Sequence, residues 1–177
     1  MNQKKLRLAV DMDEVLADPL SKFISLYNRD YNVPLDLKIS PGNEMYHHVP
    51  EHARDKWNDY INEEGFFKDL PVIENSQQVM LALQEKYDVY IVSAALEFRN
   101  SLRDKYDWLE EHFPFISWTN IIFCGDKIVN TDILIDDRIK NFHLFNGRKL
   151  LFTSPHNMLI TQYERVNNWN EVADKLL

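Results

Sequence analysis

Two carboxylates separated by one residue, Asp11 and Asp13, stand where the apolar run Leu6–Val10 gives way to acid in "LRLAVDMDEVLAD". If the backbone stays extended there, the two-residue period of a strand sends both side chains to one side. Carboxylates so close repel each other, and a hard divalent cation such as Mg²⁺ offsets the repulsion with oxygen ligands. A second pair, Asp136-Asp137, closes another apolar run in "DILIDDR". Helix capping explains one acid at such a place but not comfortably two. Ser93 ends "VYIVSAAL", and its hydroxyl, with the backbone N–H groups of Ala94 and Ala95, suits a phosphate oxygen. Lys127 follows the apolar run in "IIFCGDKIVN". A phosphate monoester brings nearly two negative charges to a set already rich in acid. At ~4 Å and an effective dielectric of ~20, like charges repel by about 4 kcal/mol. Mg²⁺ and Lys127 are the candidates in this set to cancel that repulsion. Singly, these residues read as a turn serine, a solvated lysine and a capping aspartate. Their joint occurrence at strand ends carries the reading.

Five short, β-branched runs supply those ends: Leu6–Val10, Val89–Ser93, Asn120–Cys124, Ile133–Asp136 and Lys149–Thr153. Helical patterns separate most of them. Ser76–Tyr87 sets Val79, Met80 and Leu83 on one face, with Asn75 or Ser76 as N-cap, and Phe98–Phe113 sets Leu102, Leu109 and Phe113 similarly. The alternation predicts an α/β, doubly wound, mostly parallel five-stranded sheet. In such sheets ligands bind beyond the carboxyl ends of the strands, where the acids, Ser93 and Lys127 fall. One interval breaks the alternation. Asp18 caps a helix with Pro19 at its first position, and Leu20, Phe23, Ile24, Tyr27 and Tyr31 trace its apolar face. A second helix is predicted from Pro50 to Glu64, with Ala53, Trp57, Tyr60 and Ile61 inward and Gly65 as its stop. The pattern predicts a helical cap, residues 19–71, inserted into an α/β core made of 1–18 and 72–177.

Composition narrows the classes. A chain of 177 residues that is 45% hydrophobic folds around a real core. A net charge of −8 without a basic patch argues against a nucleic-acid polymer as partner. No apolar run approaches the ~20 residues of a membrane helix. The N-terminal apolar stretch runs straight into acid and is not read as a signal peptide. Cys124 is the single cysteine, so no internal disulfide forms, and a reducing, cytoplasmic location is expected.

These residues resemble the four motifs of the haloacid dehalogenase superfamily. "DMDEVLAD", "LIDDR", "LFTSPHN" and a late Trp169 followed by a short helix are similar to the 5'(3')-deoxyribonucleotidases. The resemblance implies a Rossmann-like fold of the haloacid dehalogenase type and a Mg²⁺-dependent phosphomonoesterase acting on nucleoside monophosphates. It makes Asp11 the nucleophile that forms an aspartyl-phosphate and Asp13 the general acid, then base. It places Mg²⁺ on Asp11, the backbone carbonyl of Asp13, and Asp137, with Asp136 orienting a ligand or pairing with Lys127. Which of the two adjacent acids touches the metal stays open. Ser93, Ala94 and Lys127 bind the transferring phosphoryl group. Pro19, Met45, Tyr46 and Phe67, with Leu96 from the loop after Ser93, are the candidates to meet the nucleobase. A homodimer is plausible from the family. Glu14 replaces a glycine of many relatives and is expected to point away from the metal. Phe23, Tyr27, Trp57, Tyr60 and Phe66 are read mainly as cap core, His47-His48 as surface, and His156 as loop packing. The competing readings are a phosphatase of the same fold for a sugar phosphate or other metabolite, and a regulatory protein without catalysis. The second is disfavoured because Asp11, Asp13, Ser93, Lys127 and Asp137 are all present.

Overall fold

The computed structural model describes residues 4–32, 41–44, 47 and 49–177. Strand β1 (Leu6–Val10) lies centrally, parallel to β2 (Tyr87–Ser93) on one side and to β4 (Ile133–Asp136) on the other. Strand β3 (Ile121–Phe123) flanks β2, while β5 (Arg148–Phe152) and then β6 (Glu164–Val166) extend the sheet beyond β4. The six-stranded order is β3-β2-β1-β4-β5-β6. The chain winds outward from β1 to β3, then returns to the far side of β1, so a crevice opens between the carboxyl ends of β1 and β4. Register places Val10 opposite both Ile91 and Ile135. Asp11 continues the ladder, its N–H donating to Ile135 O at 2.9 Å. The acids that end β1 and β4 therefore arrive at the same height.

Toward their carboxyl ends the central strands are covered on both faces, which is why Leu8–Val10, Val89–Val92 and Ile133–Ile135 read as apolar runs. Leu8 and Val10 face one core with Ile133, Ile135, Leu150 and Phe152, while Ala9, Val92, Leu134 and Leu151 face the other. Helices α3 (Ser76–Lys86), α4 (Ser101–His112) and α5 (Trp169–Leu176) bring Met80, Leu83, Trp108, Trp169 and Val172 to the first core. The second core is closed by Phe142 and Phe145, from and just after the single helical turn Ile139–Phe142, with Tyr163 edge-on to Phe142.

The sequence places β1 and β4 to the residue and β2, β3 and β5 to within two. Strand β6 is an addition: "ERV" has one buried residue and no apolar run. On α4 the buried stripe is Ser101, Asp104, Lys105, Trp108 and Leu109, and Leu102 is 37% exposed. Helix α1 (Pro19–Tyr31) begins as expected, with Asp18 Oδ1 accepting from Ser21 N at 2.9 Å. The span 50–64 holds the turn Glu51–Ala53 and a short α2 (Lys56–Ile61) rather than one helix. Phe23 stacks on Trp57 and meets Tyr60 and Phe66 edge-on. The stretch leaves and rejoins the sheet side by side, with Asp18 N donating to Pro71 O and Ile73 N to Leu16 O, both at 2.8 Å. Among the described residues no helix is long and apolar enough to cross a membrane.

Candidate active site

The turn after β1 sorts its residues by polarity. Met12, Val15, Leu16 and Ala17 are fully buried, whereas Asp11, Asp13 and Glu14 line a cavity of about 300 Å³. Met12 O accepts from Leu16 N at 2.8 Å and from Ala17 N at 2.9 Å, which tightens the loop. Glu14 takes a left-handed conformation (φ 59°), and its N–H donates to Ala17 O at 2.9 Å. From behind, Trp169 Nε1 donates to Val15 O at 2.8 Å. The late tryptophan thus braces the acidic turn.

Asp11 Oδ1 accepts from Met12 N at 2.7 Å and lies 2.5 Å from Lys127 Nζ. Lys127, itself 5% exposed, also reaches Asp136 Oδ2 at 2.7 Å. Asp136 is fully buried and accepts further bonds from Arg138 N at 2.8 Å and from Asn141 Nδ2. Burial pushes the Asp11 carboxyl above the usual aspartate range, Lys127 pulls it back, and Asp136 adds to the rise. Burial works against the Lys127 ammonium, yet Asp11 and Asp136 together hold its proton more tightly than an ordinary lysine's.

Asp137 is 1% exposed and its Oδ2 makes no hydrogen bond. Burial, then Glu14, Asp11 and Asp136, hold its carboxyl well above the ordinary range, against the pull of Arg138. Asp11, Asp136 and Asp137 each offer an oxygen within 4.8 Å of the others'. A buried carboxylate oxygen that accepts no hydrogen bond, set among hard oxygen donors, fits a divalent cation such as Mg²⁺. The same oxygen distinguishes the adjacent acids. Asp136 is consumed by Lys127, Arg138 N and Asn141, while Asp137 is left with an oxygen to give.

Asp13 and Ser93 are joined by a residue the sequence reading passed over. Lys105, 1% exposed, reaches across from α4 to lie 2.5 Å from Asp13 Oδ2 and donates to Ser93 Oγ at 3.1 Å. Its ammonium sits 4.6 Å from the centre of the Phe67 ring. The signal was available, because Lys105 falls on the buried i, i+3, i+4, i+7 stripe of its helix, where an unpaired lysine is costly.

The family model described as "5' nucleotidase, deoxy (Pyrimidine), cytosolic type C protein" matches residues 4–177. The chain belongs to this nucleotidase family. It is 40% identical over 182 residues to proteins of Bacillus subtilis (strain 168) and of Bacillus phage SPbeta, each named 5'(3')-deoxyribonucleotidase. Those alignments cover 96% of this chain and 98% of each relative. Among solved structures, the haloacid dehalogenase-like hydrolase SP0104 of Streptococcus pneumoniae superposes with a TM-score of 0.62 at 12% identity, covering 98% of this chain and 99% of that one. The HAD-hydrolase YfnB of Bacillus subtilis, solved bound to magnesium, gives a TM-score of 0.61 at 16% identity with the same coverage. At such identities the likeness shows the fold, that of the haloacid dehalogenase-type hydrolases.

In this nucleotidase the remaining candidates divide. Pro19 and Phe67 line the cavity together with Leu20, Trp57 and Ile61, so Trp57 serves both the aromatic core and the pocket wall. Ala94 lines it as well, whereas Ser93 is fully buried, does not line it, and accepts from Lys105 Nζ. Leu96 does not line it: the turn Ala95–Glu97 leaves it 60% exposed. Met45 and Tyr46 lie outside the described residues. Glu14 overturns its expectation. Its left-handed backbone turns the side chain back into the cavity, where Oε2 lies 2.9 Å from Arg138 Nη2 and Oε1 accepts from Ser154 Oγ at 2.8 Å. Arg138 also pairs with Glu44 and lies 3.2 Å from Asp137 Oδ2. His156 does more than pack the loop, since it lines the cavity while meeting Ser154 Oγ at 2.9 Å and Asp137 O at 3.1 Å. Burial, then Arg138, pushes its imidazole pKa down.

Proposed function

We propose that this nucleotidase hydrolyses the phosphomonoester of deoxyribonucleoside monophosphates through a covalent phosphate on Asp11, with Mg²⁺ as cofactor. The observation that carries the reading is the convergence of Asp11, Asp136 and Asp137 at the β1/β4 switch point, against a single buried lysine. The family description and the relatives' names favour deoxyribonucleotides with pyrimidine bases.

Asp11 Oδ1 is engaged by Met12 N and Lys127, so Oδ2 is the attacking atom. It forms a bond to phosphorus as the ester P–O bond breaks, and the departing sugar oxygen takes a proton from Asp13. Asp13 then removes a proton from water, which attacks the same phosphorus and frees Asp11 together with inorganic phosphate. Lys127 steadies the charge that moves onto the phosphoryl oxygens, and Ser93 and the Ala94 N–H orient that group. Asp11, the backbone carbonyl of Asp13, and Asp137 would hold Mg²⁺, which when bound draws negative charge away from the phosphoryl group. Asp136 keeps Lys127 in place. Residues 19–71 act as the cap, with Pro19, Phe67 and Trp57 offering the base an apolar wall.

Phosphate release from thymidylate, deoxyuridylate, ribonucleotides and sugar phosphates tests the substrate. Deoxyribonucleoside monophosphates should turn over fastest, and a faster sugar phosphate would overturn that choice. Asp11→Asn should be folded and inactive, and appreciable residual hydrolysis would refute the covalent route. Asp137→Asn should lose the rise in melting temperature that magnesium gives the parent chain.

A further inference from the structure

We infer that Lys105 is a positioning residue for proton transfer: its ammonium fixes the Asp13 carboxylate in a single orientation beside the cavity that Asp13 lines. This rests on the reading of Asp13 as the acid–base residue. Lys105 Nζ lies 2.5 Å from Asp13 Oδ2, while Asp13 Oδ1 is buried with no hydrogen-bond partner. The two oxygens of one carboxylate are thus differentiated by a single neighbour. The same ammonium also donates to Ser93 Oγ at 3.1 Å, which fixes the lysine in turn.

A plain packing role does not account for this lysine. It occupies the buried stripe of α4 beside Trp108, where a methionine or leucine would fill the space without desolvating a charge. The carboxylate it pairs with keeps a side-chain exposure of 31%, while its Oδ1 is buried. What the pairing supplies is orientation. A rotating aspartate presents its carboxyl in many orientations, whereas a clamped one holds a single orientation, and proton transfer depends on such geometry. The clamp is roofed by Phe67, whose ring lies 4.6 Å from the ammonium. Phe67 belongs to the inserted stretch, which is also tied to the core by Gly42 N donating to Pro155 O at 2.9 Å and by Glu44 pairing with Arg138. Lys105 is therefore held between Asp13 and a ring of the inserted stretch.

The test compares leaving groups. The sugar alkoxide of a nucleotide needs a proton as it departs, whereas p-nitrophenolate leaves without one. Because kcat/KM reports the chain of events up to transfer of the phosphoryl group onto Asp11, it isolates that need from the later attack of water. In Lys105→Met, kcat/KM for deoxyuridylate should fall by about 10²-fold, while kcat/KM for p-nitrophenyl phosphate stays within about threefold of the parent. Lys105→Gln, neutral but polar, should show the same selectivity, and it decides the matter if the methionine variant does not fold. An equal loss on both esters would overturn the inference in favour of phosphate binding or general structure, and so would no loss on either. Asp13→Asn is the reference. If it is selective and the Lys105 variants are not, the positioning role alone fails. If Asp13→Asn itself spares the alkyl ester, the acid–base reading fails and this inference falls with it. Should the parent chain prefer a sugar phosphate to every nucleotide, that alkyl ester replaces deoxyuridylate and the comparison stands.

Discussion

Replacing Lys127 by methionine keeps a long flexible stem in place and removes one charge. In the native site that charge lies 2.5 Å from Asp11 Oδ1 and 2.7 Å from Asp136 Oδ2, with all three side chains at least nine-tenths buried. The loss is not shared evenly. Asp136 keeps the Arg138 N–H and the Asn141 amide, whereas Asp11 Oδ1 keeps only the N–H of Met12. The cost therefore falls on one buried carboxylate with a single donor. Breaking a buried ion pair from one side costs about 3–5 kcal/mol. The figure stays far below the Born cost of a bare buried charge because such a carboxyl takes up a proton instead. For a chain of this size each kcal/mol lowers the melting temperature by roughly 2–4 °C, so Lys127→Met should melt about 6–20 °C below the parent at pH 7. The assay is thermal unfolding followed by circular dichroism, in chelator so that no divalent cation replaces the lost ammonium. The double variant Lys127→Met/Asp11→Asn separates charge from packing. Removing the stranded carboxylate should recover most of the loss, with a coupling of a few kcal/mol between the two sites. A single variant within about 2 °C of the parent would refute the reasoning. A double variant no more stable than the single one would show that packing, not charge, was lost.

Trp169→Phe removes the donor to Val15 O and leaves a buried carbonyl unpaired, which should cost about 1–3 kcal/mol in urea unfolding and lower kcat through the acidic turn that Val15 belongs to; unchanged stability would show that the indole N–H does not hold the turn. Glu164 on β6 is held at about 2, first by its bonds from Arg148 and then by Lys175. A carboxyl lowered on folding adds stability above its ordinary pKa, and that stability disappears as pH falls through the lowered one. The pair is surface-exposed, so Glu164→Gln should cost less than about 1 kcal/mol at pH 7. That gap should shrink below the ordinary pKa of 4.5 and close near 2, and a gap independent of pH would sink the assignment.

The fold was legible where a segment's own residues decide its state. Strands β1 and β4 are buried on both sides toward their carboxyl ends, so each is an apolar run stopped by an acid, and both ends coincide with the expected ones. Helix α1 carries its own start in Asp18-Pro19. Strand β6 has no such autonomy. Its three residues are a strand because β5 pairs with them, and only Val166 is buried. The face of α4 was misassigned for a related reason. Leu102 is the more apolar choice by composition, but the helix is rotated so that Ser101, Asp104 and Lys105 turn inward, toward partners that only the fold brings near.

The same distinction runs through the site. Asp11, Asp136 and Asp137 could be found because each ends a strand, and strand ends in this topology point to one crevice. Lys105 meets Asp13 across 92 positions and Arg138 meets Glu14 across 124, and nothing local announces either contact. Once they are placed, the charge balance changes. Lys105 is committed to Asp13, Lys127 to Asp11 and Asp136, and Arg138 to Glu14, Glu44 and Asp137. Six carboxylates thus surround three cations before any substrate arrives. Glu14 sharpens the imbalance, because it shares Arg138 with Glu44 and Asp137. A phosphate dianion entering this site must compete with these carboxylates for their cations, meet Lys140, which also lines the cavity and lies 3.9 Å from Glu97, or find positive charge from outside the chain. The Asp137 oxygen that accepts no hydrogen bond is where such a charge would bind, and this is how the proposed divalent cation would let a site so rich in acid take an anion.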